Sequence, residues 1–193
     1  MPNNFRISPA ACITGALLLL TLPLPWLLAA LTAAGFHELC HWAALRLCGV
    51  KDCRLHIGST GAIMEAAPLS CGKELLCALA GPMGSLSLLL LARWLPRIAV
   101  CAAFHALYNL LPLYPLDGGR ALRCGIRMLL PPKAAAVACT ATEKLCLAAI
   151  CLVALYASFS LHLGLLPLIL ALLLLLKRQK AKIPCKPTGL GVQ

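Results

Sequence analysis

The chain has 193 residues, 61% of them apolar or aromatic and 12% charged, with a mean hydropathy of +0.90, whereas soluble domains carry about a quarter charged residues, so this composition belongs in a lipid bilayer. One membrane span needs ~20 apolar residues, so six would take up roughly 120 and leave no room for a separate soluble catalytic module. The net charge of +11 gathers between apolar runs, at Lys51, Arg54 and Lys73, at Arg120, Arg123, Arg127 and Lys133, and at Lys177, Arg178, Lys180, Lys182 and Lys186, which is the pattern of topology selection by cytoplasmic basic residues and not of a nucleic-acid-binding face.

The first apolar run, residues 7–22, ends at Pro23, Leu24 and Pro25. A signal peptide is the alternative reading, but cleavage in the Ala-rich stretch at 29–34 would leave His37 almost at a new N-terminus, so a span is expected. The second run, 26–49, is long enough to span and holds two histidines and a glutamate. Residues 50–74 change character: charged side chains surround a short apolar piece at 62–64 bounded by Gly58, Gly61 and Gly72. This pattern predicts a hairpin or re-entrant strand pair at the membrane surface. The third run, 75–95, contains Gly81, Pro82, Gly84 and Ser85, which permit close helix contacts and a kink.

The fourth run, 98–113, breaks at Pro112 and Pro115 and enters Leu116, Asp117, Gly118, Gly119 and Arg120, where no regular helix is expected to continue. Two later runs, 138–157 and 159–176, read as plain spans separated by a tight turn near Ser158, Ser160, His162 and Gly164, followed by a basic tail at 177–193. The fold class expected is therefore an all-α polytopic membrane protein of about six transmembrane helices, with a small membrane-surface β-hairpin between the second and third. A single membrane-embedded domain covers 1–176, its core lies at 26–130, and both termini are placed in the cytoplasm. The 12 cysteines form no CxxC pair. Cys77, Cys101, Cys139, Cys146 and Cys151 read as packing residues, and Cys53, Cys71 and Cys124 as reduced cytoplasmic thiols.

His37, Glu38, Leu39, Cys40 and His41 form an HExxH motif inside an apolar helix. Histidines at i and i+4 project from one helical face, so two imidazoles can converge on one metal ion, with the glutamate placed to activate water beside it. From this composition the pattern would arise by chance roughly once in 400 such chains, which makes it specific. Two histidines and a glutamate within a span also cost several kcal/mol unless they line a cavity, pair or bind metal. A catalytic zinc takes three protein ligands and keeps a fourth position open. Asp117 is the best third ligand, because Asp52, Glu65, Glu74 and Glu143 all read as loop or span-end residues. Asn109, on the run that leads to it, offers an amide to a substrate backbone or a developing oxyanion. His105, one turn earlier, reads as a helix-packing histidine or as a donor or gate at the same cavity. His56 and His162 read as loop or span-end residues.

The segments His37 to His41, Ala80-Gly81-Pro82-Met83, and Asn109 through Pro112 and Pro115 to Asp117, Gly118, Gly119 and Arg120 resemble the HExxH, AGP and NxxPxxPLDGG signatures of the site-2 protease family of intramembrane metalloproteases, in the family's order. Within it the chain is most similar to the stage IV sporulation protein FB group. The resemblance implies that His37, His41 and Asp117 hold Zn2+, that Glu38 is general base and then general acid, and that Asn109 binds substrate backbone. It also implies that strands at 58–65, with Gly61, Ala62 and Ile63, pair with an extended substrate. Strand pairing follows from physics too, since an unwound substrate helix must satisfy its exposed amides. Cys40 stands where the family often has glycine, and Ser85 where many relatives have asparagine. Without the nucleotide-sensing CBS domain of the sporulation group, ATP-linked regulation is not expected.

The activity expected is a zinc metalloendopeptidase, integral to a bacterial cell membrane, that cuts a membrane-tethered protein near the cytoplasmic face. A sporulation pro-sigma factor is one such substrate, and inhibitory membrane partners are implied by the same resemblance; no nucleic acid is expected. The alternatives are an inactive protease-like membrane regulator and a metal transporter. A transporter would need a second polar site across the membrane, yet the outer halves of the spans are nearly uncharged.

Overall fold

The computed structural model describes residues 5–7, 16, 19–50, 53–58, 61–66 and 69–160, together with 164, 165, 167–169, 171, 172, 174 and 175. Most of the first apolar run, much of the last, His162 and the basic tail lie outside the described residues. The described chain is mainly helical: α1 (Leu24–Leu47), α2 (Cys71–Ser87), a 3-10 turn (Leu88–Leu91), α3 (Pro96–Asn109), α4 (Asp117–Leu129) and α5 (Pro132–Phe159). Helix α2 is central and packs against α1, α3 and α4, while α3 also packs on α1 and α5 lies mainly on α4.

Between α1 and α2 the backbone forms two antiparallel strands, β2 (Cys53–Gly58) and β3 (Gly61–Ala66), with Arg54 opposite Glu65 and Gly58 opposite Gly61. A third strand not anticipated from the sequence, β1 (Phe5–Ile7), pairs in parallel with β2. It lies at the start of the apolar run expected to span, where Ile7 pairs with Ile57 of β2. β3 is bonded to β2 alone among the described strands.

Helix α1 buries Ala29, Ala33, His37, His41 and Leu45, an unbroken i+4 stripe, so both histidines occupy the face that packs on neighbouring helices. It stops at a left-handed Gly49, φ 88°, where the Gly49 N–H donates to the Arg46 carbonyl at 3.0 Å and the Val50 N–H to the Leu45 carbonyl at 3.0 Å. Leu45 and Val50 then bury together with Cys77, completing a Schellman end. This end fixes where the chain leaves the motif helix.

The interior is built from small side chains such as Ala78, Ala99, Ala102 and Ala106, whereas Leu28, Leu31, Trp94, Phe104, Val137 and Phe159 face outward. Water would drive the large groups inward; outward placement over small-residue contacts is the arrangement that suits a lipid surround. Among the described residues, two helical stretches are long and apolar enough to cross a membrane, Cys71–Leu91 and Pro132–Phe159. The fourth run yields a helix of only 14 residues, about 21 Å long, short of a ~30 Å hydrocarbon core.

Two local expectations need correction. The fourth-run helix ends at Asn109 as expected and 110–116 is not helical, but the loop expected beyond the break is instead a new helix, Asp117–Leu129. Its two glycines permit this instead of preventing it: a Cβ at Gly118 would strike the Leu110 carbonyl, and one at Gly119 the Leu113–Tyr114 backbone. The first turn of α4 therefore lies directly on the preceding loop. Glu143, read as a loop or span-end residue, sits well inside α5 and is 4% exposed; its pairing with Arg123 at 2.7 Å explains how a carboxylate is tolerated there.

Candidate metal centre

The i+4 stripe of α1 directs His37 and His41 toward the start of α4. His37 Nε2 lies 3.1 Å from His41 Nε2 and 3.1 Å from Asp117 Oδ2, and His41 Nε2 lies 3.0 Å from the same oxygen. All three residues are buried, with exposures of 2%, 8% and 8%. Asp117 is the first residue of α4, where the unsatisfied backbone N–H groups and the helix dipole favour a carboxylate. Its other oxygen, Oδ1, faces Arg120, whose Nη1 is 3.9 Å away while Nε is 3.7 Å from Glu74.

The far nitrogens of both rings are also held. His41 Nδ1 is 2.7 Å from the Cys77 carbonyl oxygen. A carbonyl only accepts, so Nδ1 carries the proton and, in the neutral ring, Nε2 presents a lone pair. His37 Nδ1 is 2.9 Å from Ser85 Oγ, a hydroxyl able to accept in the same way. Two imidazole lone pairs and a carboxylate then converge, which calls for a positive centre. Protonating both rings would satisfy the carboxylate but set two N–H groups against each other across the 3.1 Å between the rings, and protonating one leaves the other ring's lone pair facing the carboxylate. A cation satisfies all three at once.

Tetrahedral coordination with bonds of 2.0–2.2 Å puts ligand atoms about 3.3–3.6 Å apart, so the donor triangle needs to open by only a few tenths of an ångström. The residues therefore fit a metal ion, and the partners on Nδ1 are of the kind that orient metal-binding histidines. Among the described residues this is the one group of histidine, cysteine and acidic side chains close enough to share an ion.

Helix α2 makes this possible through its small residues. A Cβ at Gly81 would collide with the His41 ring, and a Cβ at Gly84 with the Cys40 thiol. Gly81 thus admits the imidazole, while Gly84 accommodates the Cys40 side chain. Pro82, inside the helix, removes one backbone N–H and loosens the turn beside the Cys77 carbonyl. Ser85 is fully buried.

The other residues singled out in the sequence are disposed as follows. Glu38 is half-buried on α1 next to His37, about 100° around the helix from each neighbour. Asn109 ends α3, and its amide donates to the His105 carbonyl at 3.0 Å. The His105 ring meets His37 edge-on, with centroids 4.5 Å apart. Gly61, Ala62 and Ile63 begin β3. Sequence reasoning missed the supporting roles of Ser85, Cys77 and Gly81. Small and hydroxyl residues at 81, 84 and 85, one helical turn apart, were the available signal, since a metal-binding histidine needs a partner for its second nitrogen. Replacing Ser85 with alanine leaves the His37 Nδ1 proton without its acceptor, and is expected to weaken metal affinity ~10–100-fold, read by chelator competition.

No protein-family model matches the sequence, and no curated protein matches it either. The fold is similar to a solved structure of the site-2 protease from Methanocaldococcus jannaschii, with a TM-score of 0.63 over 96% of this chain and 94% of that one, at 16% sequence identity. The likeness is one of fold, and it extends over nearly the whole of both chains.

Proposed function

We propose that the protein is an intramembrane zinc endopeptidase that cleaves a membrane-tethered protein near the cytoplasmic face. The observation that carries this reading is the buried triangle of His37 Nε2, His41 Nε2 and Asp117 Oδ2, all within 3.1 Å of one another, on an HExxH helix. Two imidazole nitrogens and one carboxylate oxygen form a donor set of catalytic zinc. When bound, such an ion lowers the pKa of water toward neutrality and polarises a carbonyl.

The chain's own groups supply the rest. Glu38 takes a proton from the attacking water and passes it to the leaving amine. Asp117 and the two imidazoles fix the donor geometry, held in turn by Ser85 and the Cys77 carbonyl. The strand beginning at Gly61, Ala62 and Ile63 offers backbone groups to an unwound substrate, and Asn109 offers its amide to the same extended chain. Placement in a bacterial membrane with about six spans completes the reading, the 14-residue fourth-run helix reaching only part of the way across, and the distribution of Lys and Arg supports cytoplasmic termini. The substrate class is a membrane-tethered regulatory protein, of which a sporulation pro-sigma factor is one instance, with inhibitory membrane proteins as further partners.

The test combines metal analysis and proteolysis. The purified full chain is expected to carry one zinc, and to cut a co-expressed, tagged single-span reporter in a chelator-sensitive way that added Zn2+ restores. Cleavage that persists in metal-free protein would sink this reading.

A further inference from the structure

Glu143 is an acid on a 28-residue helix otherwise suited to a membrane, where a carboxylate is costly unless paired. It is 4% exposed, and its Oε1 accepts from Arg123 Nε at 3.0 Å and from Nη2 at 2.7 Å. The other side of the same guanidinium interaction is the Tyr114 ring, whose centroid is 4.0 Å from the guanidinium carbon. Arg123 lies six residues after Asp117 on α4, and Tyr114 three residues before it in the loop. The contacts therefore straddle the third ligand.

The loop lies against the first turn of α4 at Gly118 and Gly119 and buries Leu113 and Leu116, while the Tyr114 ring is the part of it that meets Arg123. Its ends are tied to the helices, Leu110 N–H to Ala106 at 2.9 Å, Leu111 N–H to Tyr108 at 3.3 Å and Arg120 N–H to Leu116 at 3.0 Å, and between them run two short turns, Leu113 N–H to Leu111 at 2.7 Å and Leu116 N–H to Leu113 at 2.8 Å. Helix α5 in turn rests mainly on α4, and the Arg123–Glu143 pair is a charged contact between α5 and the ligand-carrying helix. An arginine is suited to this place because its planar fork can bond a carboxylate and stack on a ring together; lysine cannot do both.

We propose that Arg123 is a positioning residue for the metal centre: held by Glu143 and stacked on Tyr114, it sets the 110–116 loop and the start of α4 so that Asp117 meets His37 and His41. This rests on the metal-binding part of the reading above. A merely structural pair would change stability and leave the metal affinity of the folded chain alone.

The experiment is a Zn2+ titration of the full chain in detergent against a chromogenic chelator, with helix content followed by circular dichroism. Arg123→Lys is expected to bind Zn2+ ~10–100-fold more weakly, the range seen when groups supporting metal ligands are lost. The double variant Arg123→Met with Glu143→Met removes both charges together and so avoids a lone buried carboxylate. It is expected to stay helical and show the same loss. Tyr114→Phe, which keeps the ring face, should retain far more affinity than Tyr114→Leu. Folded Arg123→Lys and double-methionine proteins that bind Zn2+ within about threefold of the parent would overturn the proposal. A parent chain that takes up no Zn2+ removes the metal centre and this proposal with it. A parent that binds Zn2+ but cuts no reporter removes the protease reading, and the affinity series still decides the role of Arg123.

Discussion

Asp117→Asn is expected to lower Zn2+ affinity by on the order of 10²–10³-fold while leaving the fold intact. Four-ligand zinc sites yield about 10–16 kcal/mol in total, so one ligand of a smaller set is worth roughly 3 kcal/mol. Asparagine has the same shape, is accepted at helix starts, and can still hydrogen-bond an imidazole; what it loses is the charge that makes Oδ2 a metal donor. The ion pair with Arg120 is lost as well, but at 3.9 Å and part-exposed it contributes little. The two effects separate by thermal melting. Saturating Zn2+ at about 1,000 times the dissociation constant stabilises a binding-competent protein by ~4 kcal/mol. Metal-free, the Asp117→Asn chain should melt near the metal-free parent, and the same Zn2+ concentration should stabilise it by only about 0.4–1.4 kcal/mol. A zinc-dependent rise equal to the parent's would assign the third donor to another residue.

The histidines were legible from the sequence because their relation is local: four residues on one helix settle a shared face before any tertiary contact forms. Asp117 was legible for a different reason, since a chain with six acidic residues leaves few candidates, and the prolines before it mark the place where a helix opens. Ser85 and the Cys77 carbonyl were not, because their bonds to His37 and His41 span 48 and 36 residues and depend on how α1 and α2 settle against each other. Helix α4 was missed through a rule that holds only in isolation. Glycine weakens a free helix, but Gly118 and Gly119 let this one lie against the Leu110–Tyr114 backbone, and the packing outweighs the propensity. Glu143 was misplaced for want of its partner: a buried acid makes sense only once Arg123, 20 residues away, is seen against it. Cys40 shows the reverse case. A departure from the expected glycine is matched by Gly84 across the helix contact, so the two positions share one small volume.

Glu38→Gln is expected to separate metal binding from catalysis. Glu38 is outside the donor triangle, which is made by His37, His41 and Asp117, and glutamine preserves its length and shape on α1. Zinc stoichiometry and the zinc-dependent rise in melting temperature should therefore match the parent. Proteolysis should not, because an amide cannot take a proton from water at neutral pH. General acid–base groups contribute about 10²–10⁴-fold, or roughly 3–5 kcal/mol of barrier. Cleavage of a tethered reporter should fall by that factor at full metal loading, in contrast to Asp117→Asn, where excess Zn2+ should recover part of the loss. The pair of variants thus distinguishes a group that holds the ion from one that moves the proton. A Glu38→Gln protein that binds zinc and cuts the reporter at the parent's rate would transfer the proton-moving role elsewhere. One that loses zinc would instead make Glu38 part of the metal's support, acting through its neighbour His37.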